Sequence, residues 1–399
     1  MDTKIVQRRF DLDWLRVFAI LAIFVFHSTR PFDTDEWSIK NPATYAALDV
    51  WKEFAMAWGM PLILIISGAS VFCALEKIRM GTYLKGICAR LLLPLVVGMF
   101  THVAFQVYLE KLQKGLFHGS FWQFYPHYFD GMYGFGGNFA WMGLHLWYLE
   151  MLFIFSLLFL PIFLWLKKTN FGRSVLRALG DFLAKPGAIF LLALPAIILI
   201  IKLDPATWGN PDLSGWSVLI YPFYFISGFV IISSQQLQIR ICQMRRLSSV
   251  LGLTLTPAYL FLAFQNRYHA LFPLAEALVN PLKCLVAWSW LLAVLGFGMQ
   301  HLDFNSPLLK YANEAVLPFY ILHQTVIVIL GYFVVQWAIP DLLKFVIILT
   351  VSFFVIIGLY EFIVRRFNVM RFLFGMKLLA RPINLKTRET QLKEVARTL

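Results

Sequence analysis

Residues 11–30 read DLDWLRVFAILAIFVFHSTR: two aspartates and an arginine, then an apolar run that carries one histidine. A helix of about 20 mostly apolar residues spans the hydrocarbon core of a bilayer. Asp13 and Arg16 are three residues apart, which places them on one helix face. His27 follows Arg16 by eleven residues, almost three turns. It therefore shares that face, about 16 Å further along the axis. Charge at membrane depth is expensive, so an ionisable group there is a functional candidate by default. The stretch predicts a retained first span with a cation at one mouth and a titratable imidazole toward the other.

The remaining sequence extends the same reading. Of 399 residues, 59% are apolar and only 14% charged, with a mean hydropathy of +0.69. Soluble domains average about 45–50% apolar and 25% charged, so a soluble enzyme, a disordered chain and a coiled coil are excluded. Ten apolar segments stand out, at roughly 12–30, 54–75, 88–109, 144–166, 187–202, 215–234, 248–265, 281–300, 315–337 and 343–364. Pro195 and Pro257 interrupt two of them. The expected fold is an all-α polytopic membrane bundle of about ten spans.

The net charge of +13 would suggest nucleic acid in a soluble protein. With both termini placed in the cytoplasm, 26 of the 35 Lys and Arg residues fall on the cytoplasmic side. Charge here reports topology, so no nucleic-acid partner is expected; the lipid bilayer is. Residues 1–365 are expected to form the membrane domain and 366–399 a basic, amphipathic cytoplasmic tail. The aromatic and Gly-rich stretch from about 110 to 143 reads as an interfacial loop outside, or as a sugar-stacking surface. The four cysteines form no C-x-x-C pair, and no two histidines are spaced i, i+4, so neither disulfide nor metal is expected.

Further polar residues lie in or at the mouths of spans: His145 with Trp147 and Tyr148, Asn313, Tyr320 and His323, and Glu361. Together with Arg16 and His27 they predict an internal polar pathway. Ser67-Gly68 sits in the second span, where small residues let helices approach.

Asp13-x-x-Arg16, the R-x10-H spacing to His27, Ser67-Gly68, Arg90-Leu-Leu-Leu-Pro94, His145-Leu-Trp147-Tyr148-Leu and Asn313…Tyr320-x-x-His323 occur in one order. In that order they resemble acyltransferase family 3 membrane proteins over nearly the whole chain. The late elements look closest to the family's glucan biosynthesis branch, which is associated with succinylation of periplasmic glucans. The family's Arg-x-x-Arg before the third-span proline departs here: Ile87 stands in the first position, with Lys85 two residues earlier. The resemblance implies a protein of the bacterial cytoplasmic membrane that moves an acyl group, succinyl or acetyl, from cytosolic acyl-CoA to a hydroxyl of an extracytoplasmic glycan. Acyl-CoA is then a substrate, and no tightly bound cofactor is implied. Arg16, Lys85 and Arg90 would meet the donor's phosphates. His27 would act as general base or carry the acyl group, with Asp13 orienting Arg16. His145, Trp147, Tyr320, His323 and Glu361 would line the acceptor side. Two other classes use the same residues differently: a proton-coupled transporter or flippase, and a structural membrane subunit.

Overall fold

The structure, a computed structural model, describes residues 8–202, 216–268 and 273–379. Within them the fold is helical, without a β-strand; an isolated bridge joins Met132 to Phe139. Helix α1 is Phe10–Thr29, α2 Ala46–Lys77 and α3 Met80–Gln113, the last loosened by a π-turn at Cys88–Leu92. A short α4, Phe121–His127, is fixed by a capping box between Ser120 and Gln123. Helix α5, Leu144–Leu158, bends by 47° into α6, Leu160–Lys168, where Pro161 occupies the first turn. Helix α7, Asn170–Leu183, turns by 117° into α8, Ala188–Lys202, at Gly187, whose φ of +75° suits glycine. Then follow α9 Val218–Ser233, α10 Gln235–Tyr268, α11 Pro273–His301, α12 Pro307–Val334, α13 Asp341–Val364 and α14 Asn368–Leu373.

Among the described residues, six helices are long and apolar enough to cross a membrane, or eight if each bent pair is one span. The apolar segments read from sequence all fall on helices, but the helices run further. Helix α10 begins at Gln235 and carries Arg240, Arg245 and Arg246 before its apolar part. The basic stretch after residue 168 is a helix, α7. Its small and leucine positions Gly172, Leu176, Gly180 and Leu183 face the bundle, while Arg173 and Arg177 are exposed. Residues after Arg365 also pack on the bundle: Arg371 is buried and donates to Glu314 at 2.8 Å. Lys4 and the tail beyond Leu379 lie outside the described residues.

Helices α2 and α9 cross with their backbones almost touching. A Cβ on Gly68 would lie 1.8 Å from the Phe225 carbonyl oxygen, and one on Gly228 1.9 Å from that of Ile65. Helix α1 packs against α2, α11, α12 and α13, so its polar face looks into the bundle.

Polar contacts collect at two ends. At one, Arg9 donates to Gln238, Lys167 pairs with Glu76 and Arg371 with Glu314. At the other, Lys40 meets Gln113, Tyr45 donates to Asp341, and Lys344 donates to Asn41. The loop between α3 and α5 is anchored at this second end, where Tyr133 donates to Glu110 at 2.7 Å. Burial, and then the Glu110 charge, raises the Tyr133 phenol far above its ordinary value. Trp122 and Phe135 of this loop are 78% and 79% exposed.

Candidate functional site

The first span and α12 meet at a pair of imidazoles. His27 Nδ1 lies 3.0 Å from the Ile23 carbonyl and 3.1 Å from His323 Nε2. His323 Nδ1 in turn lies 2.5 Å from the Tyr320 carbonyl. A carbonyl only accepts, so the neutral tautomers follow from the partners. His323 carries its proton on Nδ1 and offers Nε2 as an acceptor. His27 then donates from Nδ1, which leaves its Nε2 with an unshared lone pair. No hydrogen bond to that Nε2 is formed by the described residues, and His27 lines a cavity of about 320 Å³.

His145 lines the same cavity but is engaged at both nitrogens. Its Nε2 donates to the Ile321 carbonyl at 3.0 Å, and its Nδ1 faces the Gln106 amide at 3.4 Å. The ring centroids of His27 and His145 lie 5.0 and 5.1 Å from that of His323. Tyr320 donates to the His145 carbonyl, and Trp147 stacks on Tyr221 at 5.5 Å; both also reach the cavity. Ser67 and Tyr148 share a 2.7 Å hydrogen bond beside it. Ser67 and Gly68, neighbours in sequence, thus serve the polar cluster and the helix crossing respectively.

The sequence reading overlooked part of this cluster. Gln106 donates to Thr325 at 2.7 Å and accepts from Gln324 at 3.0 Å, while His102 Nδ1 lies 2.9 Å from Thr325 Oγ1. The signal was available: His102 and Gln106 are one turn apart in an apolar span, and His323-Gln324-Thr325 is a polar run in another. Among the described residues no group of three or more His, Cys, Asp or Glu has a metal-holding arrangement. The imidazoles are instead turned toward carbonyls and amides.

Arg16 lies about 16 Å below His27 along α1. It donates to Ser70 at 2.7 Å, meets Asn313 at 3.4 Å and pairs with Asp13 at 3.3 Å. Asp13 also pairs with Arg8 at 2.8 Å. Lys85 and Arg90 are exposed, Arg90 within the π-turn of α3, and neither forms an ion pair among the described residues. Gly375 packs against Arg90, where a Cβ would come within 2.9 Å of the arginine Cα. Glu361 is not brought to the histidines. It lies in the π-turn of α13, pairs with Arg365 at 2.9 Å and accepts from Tyr311 at 3.3 Å.

Comparison with known proteins agrees with this architecture. The profile described as "Acyltransferase domain" matches residues 9–361. The chain is similar to "Glucans biosynthesis protein C" of Salmonella typhimurium (strain LT2), with 24% identity over 98% of this chain and 100% of that protein. Similarity to the proteins of that name from Salmonella schwarzengrund and Salmonella typhi is also 24%, over 94% of this chain and 97% of each. No solved structure matches. With long apolar helices and a domain match over nearly its whole length, this integral membrane protein is an acyltransferase, and the chain belongs to acyltransferase family 3.

Proposed function

We propose that the protein moves an acyl group from cytosolic acyl-CoA to a hydroxyl of an extracytoplasmic carbohydrate, in a bacterial cytoplasmic membrane. The observation that carries this is the accepting His27 Nε2 at the cavity wall, held by Ile23 and His323. A sugar hydroxyl is a weak nucleophile at neutral pH and needs a base to take its proton. In this reaction His27 Nε2 removes the hydroxyl proton as the oxygen attacks the thioester carbonyl. The C–S bond breaks, and the imidazolium returns its proton to the departing thiolate. An acyl-imidazole on the same nitrogen would reach the same products in two steps.

The donor's phosphates call for cations at the opposite mouth, where Arg16, Lys85 and Arg90 are the candidates. Arg90 is exposed and not held in an ion pair by the described residues, so it is available to an anionic ligand. Arg16→Ala and Arg90→Ala are each expected to raise KM for acyl-CoA about tenfold or more, the worth of a charge-assisted hydrogen bond. Arg90→Lys should recover only part, because an ammonium lacks the guanidinium fork. Unchanged KM in both alanine variants would move the donor site elsewhere.

The proposed topology has ten traverses with both termini in the cytoplasm. It is supported by the basic-residue count. With the four native cysteines replaced, His118→Cys should be labelled from outside by an impermeant thiol reagent. Ser174→Cys on α7 should be labelled only after permeabilisation. The reverse pattern would invert the direction of transfer. The activity itself is tested by thioester consumption with purified protein in nanodiscs; neither a flippase nor a structural subunit consumes acyl-CoA.

A further inference from the structure

The cavity beside His27 is framed by α1 from Leu15 to His27 and by α2 from Trp51 to Leu62. Among the described residues its wall contains no Asp, Glu, Lys, Arg, Asn, Gln, Ser or Thr; its side-chain polar atoms come from His27, His145, Tyr148, Tyr320 and tryptophan indoles. The cations nearest along the chain are committed elsewhere. Arg16 pairs with Asp13, Arg30 with Asp33, and Lys52 with Asp35 and Asp49. An ionised carboxylate placed in such a wall would lose its hydration without gaining a cationic partner. A whole sugar would likewise leave most of its hydroxyls unpaired; only the reacting one finds a partner, in His27 Nε2.

On the reading that the chain is an acyl-CoA-dependent transferase, we infer that this cavity receives the acyl chain itself, and that the group transferred is uncharged and apolar, not succinyl. A dry cavity of about 150 Å³ holds a six-carbon ring, so 320 Å³ has room for roughly a dozen carbon atoms. Gly59 sets the length on the α2 side. It lines the cavity, and a Cβ added there meets nothing within 4 Å. A larger side chain at Gly59 therefore occupies volume that the acyl chain uses. Ala22 is the corresponding small residue on the α1 wall.

The test is competition among acetyl-, hexanoyl-, octanoyl- and succinyl-CoA for the purified protein in nanodiscs, read as kcat/KM. Hexanoyl-CoA should exceed succinyl-CoA by about a hundredfold or more, because one substrate buries methylenes and the other an unpaired charge. Gly59→Leu should move the acetyl-to-octanoyl ratio at least about tenfold toward acetyl, since each misplaced methylene is worth that much in an apolar pocket. Ala22→Leu should move it the same way, which covers a failure of the first variant to fold. Preference for succinyl-CoA, or ratios unchanged in both folded variants, overturns the inference while leaving the transferase reading intact. No consumption of any of the four thioesters overturns that reading instead.

Discussion

Replacing His27 by alanine is expected to lower acyl transfer by about 10²–10⁴, the usual contribution of a positioned general base. The protein should still insert and elute as a folded species. His27 spans two environments: Nδ1 is occupied by Ile23 and His323, while the ring edge borders an open cavity. Alanine removes the accepting nitrogen and leaves packing around α1 largely intact. His323→Ala should have a smaller effect, about tenfold, because the Ile23 carbonyl still holds the Nδ1 proton of His27 in place. That difference separates a base from the residue that orients it; His323→Ala should also alter the pH profile of kcat/KM. A His27→Ala protein that keeps its turnover within a few-fold, at normal expression, would remove the base from this position.

The second large effect is structural. Gly68→Ala and Gly228→Ala should each destabilise the protein by about 3 kcal/mol or more, beyond the usual range for overpacking. At both positions the new methyl would overlap a backbone carbonyl on the facing helix, which no rotamer change relieves. Gly59→Ala is the internal control. It lies nine residues before Gly68 on α2, meets open space, and should be neutral or slightly stabilising, as alanine is a better helix former by up to about 1 kcal/mol. Thermal denaturation followed by size-exclusion fluorescence distinguishes them. A Gly68→Ala protein that melts with the wild type would mean the two helices separate more easily than their contact implies.

Much of this architecture could be read from sequence because apolar runs and their charged borders report the bilayer directly. The breaks could not be placed as well. Arg173 and Arg177 keep α7 out of the ten apolar segments, although its glycines and leucines recur on one helical face. The bend between α5 and α6 falls at Pro161, inside one apolar segment, and a proline in a span is tolerated where neighbours re-satisfy the backbone. At the site, His27, His145 and His323 stood out as ionisable groups at depth. Their pairing did not, since 296 residues separate His27 from His323. Nor does sequence say which nitrogen faces a cavity; that depends on carbonyls turned toward the rings. Glu361 was grouped with them because a sequence gives depth only roughly, and half a helix length separates a ligand from a salt bridge at the opposite mouth.

The crossing of α2 with α9 also bears on how a short helix is held in a membrane bundle. Val218–Ser233 is 16 residues, about 24 Å of helix, against a hydrocarbon layer of about 30 Å. Gly68 and Gly228 clamp this short helix to a much longer one, so it is not free to slide toward either surface. Leu219 is its one exposed residue, so neighbouring protein and not lipid covers its apolar length. A helix too short to span the hydrocarbon layer is thus carried inside the bundle, where its ends need not reach either lipid surface.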